Sequence, residues 1–342
     1  ENVHQARHGE EAIEIMEAHS FEIVLCDYNL GDGKDGQQIL EEARTRQLLS
    51  HAAIFVMVTA ENTAEMVMGA LEYQPDAYLS KPVTTTVLQA RLRKLMDKKT
   101  QLAGIAGALD NRDSGRVIKL CDGFIEAGTK YRFELLKLKA DMLINIGEYD
   151  QAERLADAVL GERDLAWAQM IRGKVHFLRK DYAAAIEIFD AIIAAHSSFV
   201  AAYDWRAHAL RRQGRQDEAQ STLEQAIGVS PKSIVRQRTL ADVADHNQDH
   251  VTTEKARRQA LRVGRGSVLR EPTDFTGLAR VLVRQNTTKE AAKVLDQLKH
   301  EFRGDPRAEL AGCVAENALY QVQGRDEAAR EAELLRREGF AH

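Results

Sequence analysis

Residues 21–36 read FEIVLCDYNLGDGKDG, an apolar run that ends on an acid, Asp27, and passes into a glycine-rich polar loop. A short β-favouring run with so abrupt a polar end predicts a buried strand whose carboxyl end opens onto that loop. Two later runs behave alike: AIFVMVT ends on Thr59, and AYLS leads into Lys81 and Pro82. Between and around them lie GEEAIEIMEAHS, DGQQILEEARTR and NTAEMVMGALEY, which carry the apolar spacing of amphipathic helices. This alternation predicts a parallel sheet covered by helices on both faces. In such sheets ligands bind outside the carboxyl ends of the strands, where an acid, a hydroxyl and an amine would here arrive together from three strand ends.

Composition bounds the rest. The chain has 342 residues, 44% of them hydrophobic, 29% charged and only 6% aromatic, enough for two domains with a sizeable core. No run approaches the roughly 20 apolar residues of a membrane span, and the N-terminus lacks the pattern of a signal peptide, so the expected location is cytoplasmic. Cys26, Cys121 and Cys313 lie far apart, without metal-ligand or disulfide-framework spacing. The net charge of -5 gives no basic surface suited to nucleic acid.

Asp27, Thr59 and Lys81 together suit phosphoryl transfer to a carboxylate. Asp27 would be the nucleophile that becomes an acyl phosphate, Thr59 would hydrogen-bond a phosphoryl oxygen, and the Lys81 ammonium would neutralise another. On these residues, with Asn29, the Asp35-Gly36 helix start, the Thr59-Ala60 pair and Tyr78-Leu79-Ser80-Lys81-Pro82, the first 98 residues resemble the flavodoxin-like receiver domain of response regulators. The resemblance implies Mg2+ held by Asp27 and the Asn29 carbonyl, a cis Lys81–Pro82 bond, Tyr78 as the aromatic switch residue, and a sensor histidine kinase as phosphodonor. The loop from Asp27 to Asp35-Gly36 is one residue longer than is common in the family, with Leu30-Gly31 where an apolar-proline pair is usual. The segment ENVHQARHGEEA corresponds to the family's second strand and helix. Its first strand, first helix and metal-binding acid pair have no counterpart here, so Mg2+ and phosphate binding are expected of a longer form and not of these 342 residues.

Beyond residue 84 helix formers dominate. GEYDQAERLADAVL, KDYAAAIEIFDAII and GRQDEAQSTLEQAIGVSP align on Ala152, Ala185 and Ala219, a period of 33 to 34 residues that resembles the tetratricopeptide repeat. Gly173, Phe189, Ala207, Ala226 and Pro231 occupy family positions, and looser copies follow at Thr253, Ala291 and Ala329. Repeats of this type stack into a solenoid whose concave face is lined by the first helix of each pair. In that register Lys137, Asp141, Trp167, Met170, Lys174, Phe177, Asp204, His208 and Arg211 face the groove as candidate partner contacts. The domain plan is therefore a receiver at 1–98 lacking its first strand and helix, a connector helix and hairpin at 99–130, and a tetratricopeptide-like all-α array at 131–342. Apolar spacing from Val87 to Leu109 predicts one unbroken helix joining receiver to array.

These features imply a two-component response regulator whose phosphorylation at Asp27 controls protein binding by the array; the other reading is a phosphorylation-independent adaptor. No motif for catalysis appears after residue 98, so no enzyme activity is expected beyond the receiver's own phosphorylation and dephosphorylation. The expected partners are the kinase and a protein bound by the array, without nucleic acid or membrane, and a homodimer stays open.

Overall fold

The computed structural model describes residues 3–31, 33–60 and 74–339. The helix expected over NTAEMVMGALEY lies outside them. After helix α1 (Gly9–Ala18) come strand β1 (Ile23–Asp27), helix α2 (Gly36–Thr45), strand β2 (Ile54–Thr59) and strand β3 (Ala77–Ser80). The described sheet has the order β1-β2-β3 and is parallel throughout, with Ile23 opposite Ile54, Asp27 opposite Val58, and Thr59 opposite Ser80. Because side chains alternate across a strand, Phe55 and Met57 join Ile13, Met16, Ile39 and Leu40 beneath α1 and α2. Ile54, Val56 and Val58 face the other way, where Leu92 and Leu95 of helix α3 (Thr85–Gln101) cover them.

β1 departs from the expectation of a fully buried strand. Among the described residues it pairs with β2 alone, and its Leu25 is half exposed. Along its other side runs an open groove of about 920 Å³, walled by His4–His8, by α1 and by β1 as far as Asp27.

The connector also differs from expectation. α3 ends at Gln101, Leu102 leaves the helical region at φ -102° and ψ 15°, and a second helix, α4, runs over Ala103–Asp110. The Leu102 N–H keeps its bond to the Lys98 carbonyl, so the chain bends there and is not severed. Gly104 and Gly107 explain why amphipathic spacing overstated continuity: glycine weakens a helix by about 1 kcal/mol relative to alanine while leaving the apolar pattern readable. α4 and α5 (Ser114–Glu126) close a hairpin on Ile105, Ala108, Val117, Cys121 and Leu135.

Helix pairs follow at α6 (Arg132–Asn145) with α7 (Tyr149–Glu162), α8 (Ala166–Leu178) with α9 (Tyr182–Ala195), and α10 (Val200–Arg212) with α11 (Gln216–Val229). Ala152, Ala185, Ala207, Ala219 and Ala226 are all fully buried, as close helix approach demands. A Cβ on Gly173 would lie 2.4 Å from the Phe189 ring, so only glycine admits that phenylalanine at the helix crossing. The turn within each pair ends on a left-handed residue, Gly147, Lys180 and Gly214 in succession, and the series continues at Gln248, Asn286 and Gly324. The repeat thus persists in the backbone where the sequence copies are weak, and Thr253, Ala291 and Ala329 are buried too. The chain divides after Pro231 into two compact units, the first holding the receiver, the connector and the helix pairs through α11. The second contains α12 (Ile234–His246), α13 (His250–Val263), α14 (Pro272–Arg284), α15 (Thr288–Glu301), α16 (Pro306–Val322) and α17 (Asp326–Gly339).

Candidate functional site

Strand register brings the three strand ends together. Lys81 N–H donates to the Thr59 carbonyl at 2.6 Å, which holds the residue after β3 beside the end of β2. From there the Lys81 ammonium reaches across and pairs with Asp27 Oδ2. Thr59 is 1% exposed at the floor, whereas Asp27 and Lys81 are partly open to solvent. The Lys81–Pro82 peptide is cis.

The loop after β1 is built to present the acid. Asn29 N–H donates to Asp27 Oδ1 at 3.3 Å, and Asn29 Oδ1 in turn accepts from Gly31 N–H at 3.1 Å. Short polar side chains that bond backbone groups two residues away fix such turns. Asp35 then starts α2 through a capping box with Gln38. A Cβ on Gly36 would fall 2.4 Å from the Asp27 carbonyl oxygen, so Gly36 lets the helix start touch the strand end directly. Beneath it, burial and then the nearby Asp27 and Asp35 charges push the Cys26 thiol up to about 12, which leaves it an unreactive core group. Tyr78 lies beside Met57 on β3 and packs against the core under α1 and α2.

Mg2+, which the resemblance implies beside Asp27, needs near-octahedral oxygen ligands and enough carboxylate charge to compete with its hydration shell. Asp27 supplies one carboxylate, already engaged by Lys81 and Asn29 N–H. Among the described residues no group of three or more histidine, cysteine, aspartate or glutamate side chains is placed to hold a metal. One carboxylate and one carbonyl do not make a fitting Mg2+ set.

In the array the candidate groove residues separate. Met170 is buried at 4% exposure, so the groove position assigned to it from sequence is corrected to interhelical core, whereas Trp167 stays partly exposed while packing against the core formed by Ala140, Ala156 and Ile171. Trp167 thus meets residues of the preceding pair, where apolar side chains fill the space between helices. Lys137, Asp204 and Arg211 remain partly exposed. Lys174, Phe177 and His208 gather around Trp205, which the sequence reading did not name. Phe177 meets its ring edge-on at 5.2 Å, Lys174 lies 5.7 Å above it and also pairs with Asp141 at 3.6 Å, and His208 sits at 6.3 Å. Desolvation, followed by the neighbouring Arg211 charge, lowers the His208 pKa. The three-residue interval between Trp205 and His208 was the available signal, since residues so spaced share a helix face.

A parallel sheet with an acid, a hydroxyl and a lysine at its carboxyl edge, followed by paired helices of fixed period, defines a receiver joined to a repeat array. Comparison with known proteins agrees. The response regulator receiver domain family matches residues 2–93, and tetratricopeptide repeat families match residues 138–198 and 200–233. The chain is a fusion of a response-regulator receiver domain with tetratricopeptide repeats. Its receiver half is 28% identical to the chemotaxis protein CheY-3 of Vibrio cholerae over 97 residues, which are 28% of this chain and 73% of that protein. It is 27% identical to the chemotaxis protein CheY of Pseudomonas aeruginosa over 97 residues, again 28% of this chain and 77% of that one. Among solved structures, the C-terminal part of a TPR repeat-containing protein from Cytophaga hutchinsonii matches with a TM-score of 0.53 at 13% identity, covering 68% of this chain and 92% of that one.

Proposed function

We propose that the protein is a response regulator in which phosphorylation of Asp27 by a histidine kinase governs protein binding by the tetratricopeptide array. The observation that carries this reading is the direct Lys81–Asp27 ion pair above the buried Thr59, reached from three strand ends. In the proposed step an Asp27 carboxylate oxygen attacks the donor's phosphorus; the new O–P bond forms as the bond to the donor's leaving group breaks. The Lys81 ammonium then neutralises part of the negative charge on the phosphoryl oxygens, and Thr59 offers its hydroxyl to one of them. The cluster of Lys174, Phe177 and His208 around Trp205 would supply aromatic and charged contacts for a partner. No other catalysis is assigned to the chain, and none of the described helices is long and apolar enough to cross a membrane.

A second reading is a phosphorylation-independent adaptor, in which the Lys81–Asp27 pair is a structural contact. Partner capture with the protein as its host makes it separates the two. Under the first reading the proteins retained change when a small phosphodonor such as phosphoramidate is added with Mg2+, and Asp27→Asn abolishes the change. An identical set with and without the donor supports the adaptor.

A further inference from the structure

At the end of the sheet opposite Asp27, the two adjacent lysines that close α3 reach in different directions, as neighbouring residues on a helix must. Lys99 turns back to the receiver: its ammonium pairs with Asp76 Oδ1 at 2.9 Å and donates to the His51 carbonyl at 2.7 Å. Lys98 turns forward to the array, where it pairs with Glu134 of α6 and lies 5.5 Å over the ring of Tyr131. A second tie runs alongside. Asp110, at the end of α4, accepts from both the His51 backbone N–H at 2.9 Å and the His51 ring at 2.6 Å.

Asp76 is itself firmly placed, because its Oδ2 accepts from Phe55 N–H at 2.9 Å while its own N–H donates to the Phe55 carbonyl. It stands immediately before β3, and Lys81 stands immediately after it. One strand of four residues therefore carries the Asp27 contact at one end and the Lys99 contact at the other. These polar ties matter because α3 holds no fully buried residue and the chain bends at Leu102 directly after them. Partly buried contacts of a charged donor with a carboxylate and a carbonyl are directional enough to fix such a helix.

We propose that Lys98 and Lys99 form a two-sided clamp that holds β3 of the receiver and the first array pair in one fixed relation across the bend at Leu102. The clamp exists without phosphate, so its test is independent of the phosphoacceptor role of Asp27. Spin labels at Glu14→Cys on α1 and Arg154→Cys on α7, both exposed, in a Cys313→Ser background, report the receiver-to-array distance by double electron–electron resonance. A single narrow distribution is expected, broadening and shifting in Lys98→Glu/Lys99→Glu. It narrows again when Lys98→Glu is combined with Glu134→Lys, a recovery that mere loss of local structure would not give. A label pair inside the array, Arg154→Cys with Glu187→Cys, should keep its width throughout. If the double glutamate variant loses helix content, Lys98→Gln/Lys99→Gln replaces it. Unchanged distance distributions in the folded clamp variants, or no recovery on charge exchange, would overturn the clamp.

Discussion

Receiver and array use glycine and charge in opposite ways. In the receiver, Gly36 brings a helix start against a strand end, and Lys81 reaches Asp27 across 54 positions of sequence. In the array, Gly173 merely admits Phe189 of the next helix, and the small residues Ala152, Ala185 and Ala219 serve neighbour-to-neighbour packing. A repeat array sums nearest-neighbour interfaces, whereas a sheet site depends on every strand end at once. Damage in the array should therefore lower local stability, and damage in the receiver should disorganise a site. Both tryptophans, Trp167 and Trp205, lie in the array, so tryptophan fluorescence follows that half alone. Hydrogen exchange at β2 follows the receiver.

The largest effect is expected from Phe189→Ala. The ring is fully buried, and truncating such a phenylalanine costs about 3–5 kcal/mol. The fluorescence transition should fall to lower denaturant while protection of β2 is unchanged; loss of both together would break the contrast. Next comes Met96→Pro in α3, at about 3 kcal/mol. Its cost should be local, but the receiver-to-array distance distribution should broaden as it does in the clamp variants. Gly36→Ala should cost about 1–3 kcal/mol because the new methyl meets the Asp27 backbone and has nowhere to go. Here β2 protection falls and the array transition stays.

The smallest effect concerns pH. Burial alone would raise the Glu42 carboxyl, but hydrogen bonds from Lys34 and Arg46 outweigh it and hold the group below its ordinary value. A lowered folded-state value means that this stabilisation is complete above the ordinary carboxylate range and disappears as pH falls through the lowered one. Protection of β2 should therefore weaken on acidification, and Glu42→Gln should flatten that dependence. The array transition, followed by fluorescence, should not respond to the substitution.

What could be read from sequence follows the same division. Asp27, Thr59 and Lys81 were legible because a polar residue ending an apolar strand marks one particular edge of a parallel sheet. The alanines at the 33- to 34-residue period were legible because close helix crossings tolerate little else. The bend at Leu102 was not, since amphipathic spacing is blind to a local change of backbone angle, and neither was the division after Pro231. Met170 was misplaced because a period assigns a helix face but not the depth to which its neighbours cover it. The left-handed Lys180, Gln248 and Asn286 hide the turn signal that Gly147, Gly214 and Gly324 advertise.

The central claim is that Asp27 is the phosphoacceptor. Its most direct test is intact and fragment mass measurement on the protein as its host makes it, after exposure to phosphoramidate and Mg2+, beside the Asp27→Asn variant. One added phosphoryl group, mapped to the peptide containing Asp27 and absent from the variant, is the result this account predicts. A label that persists in Asp27→Asn, or no label on the parent protein, would contradict it.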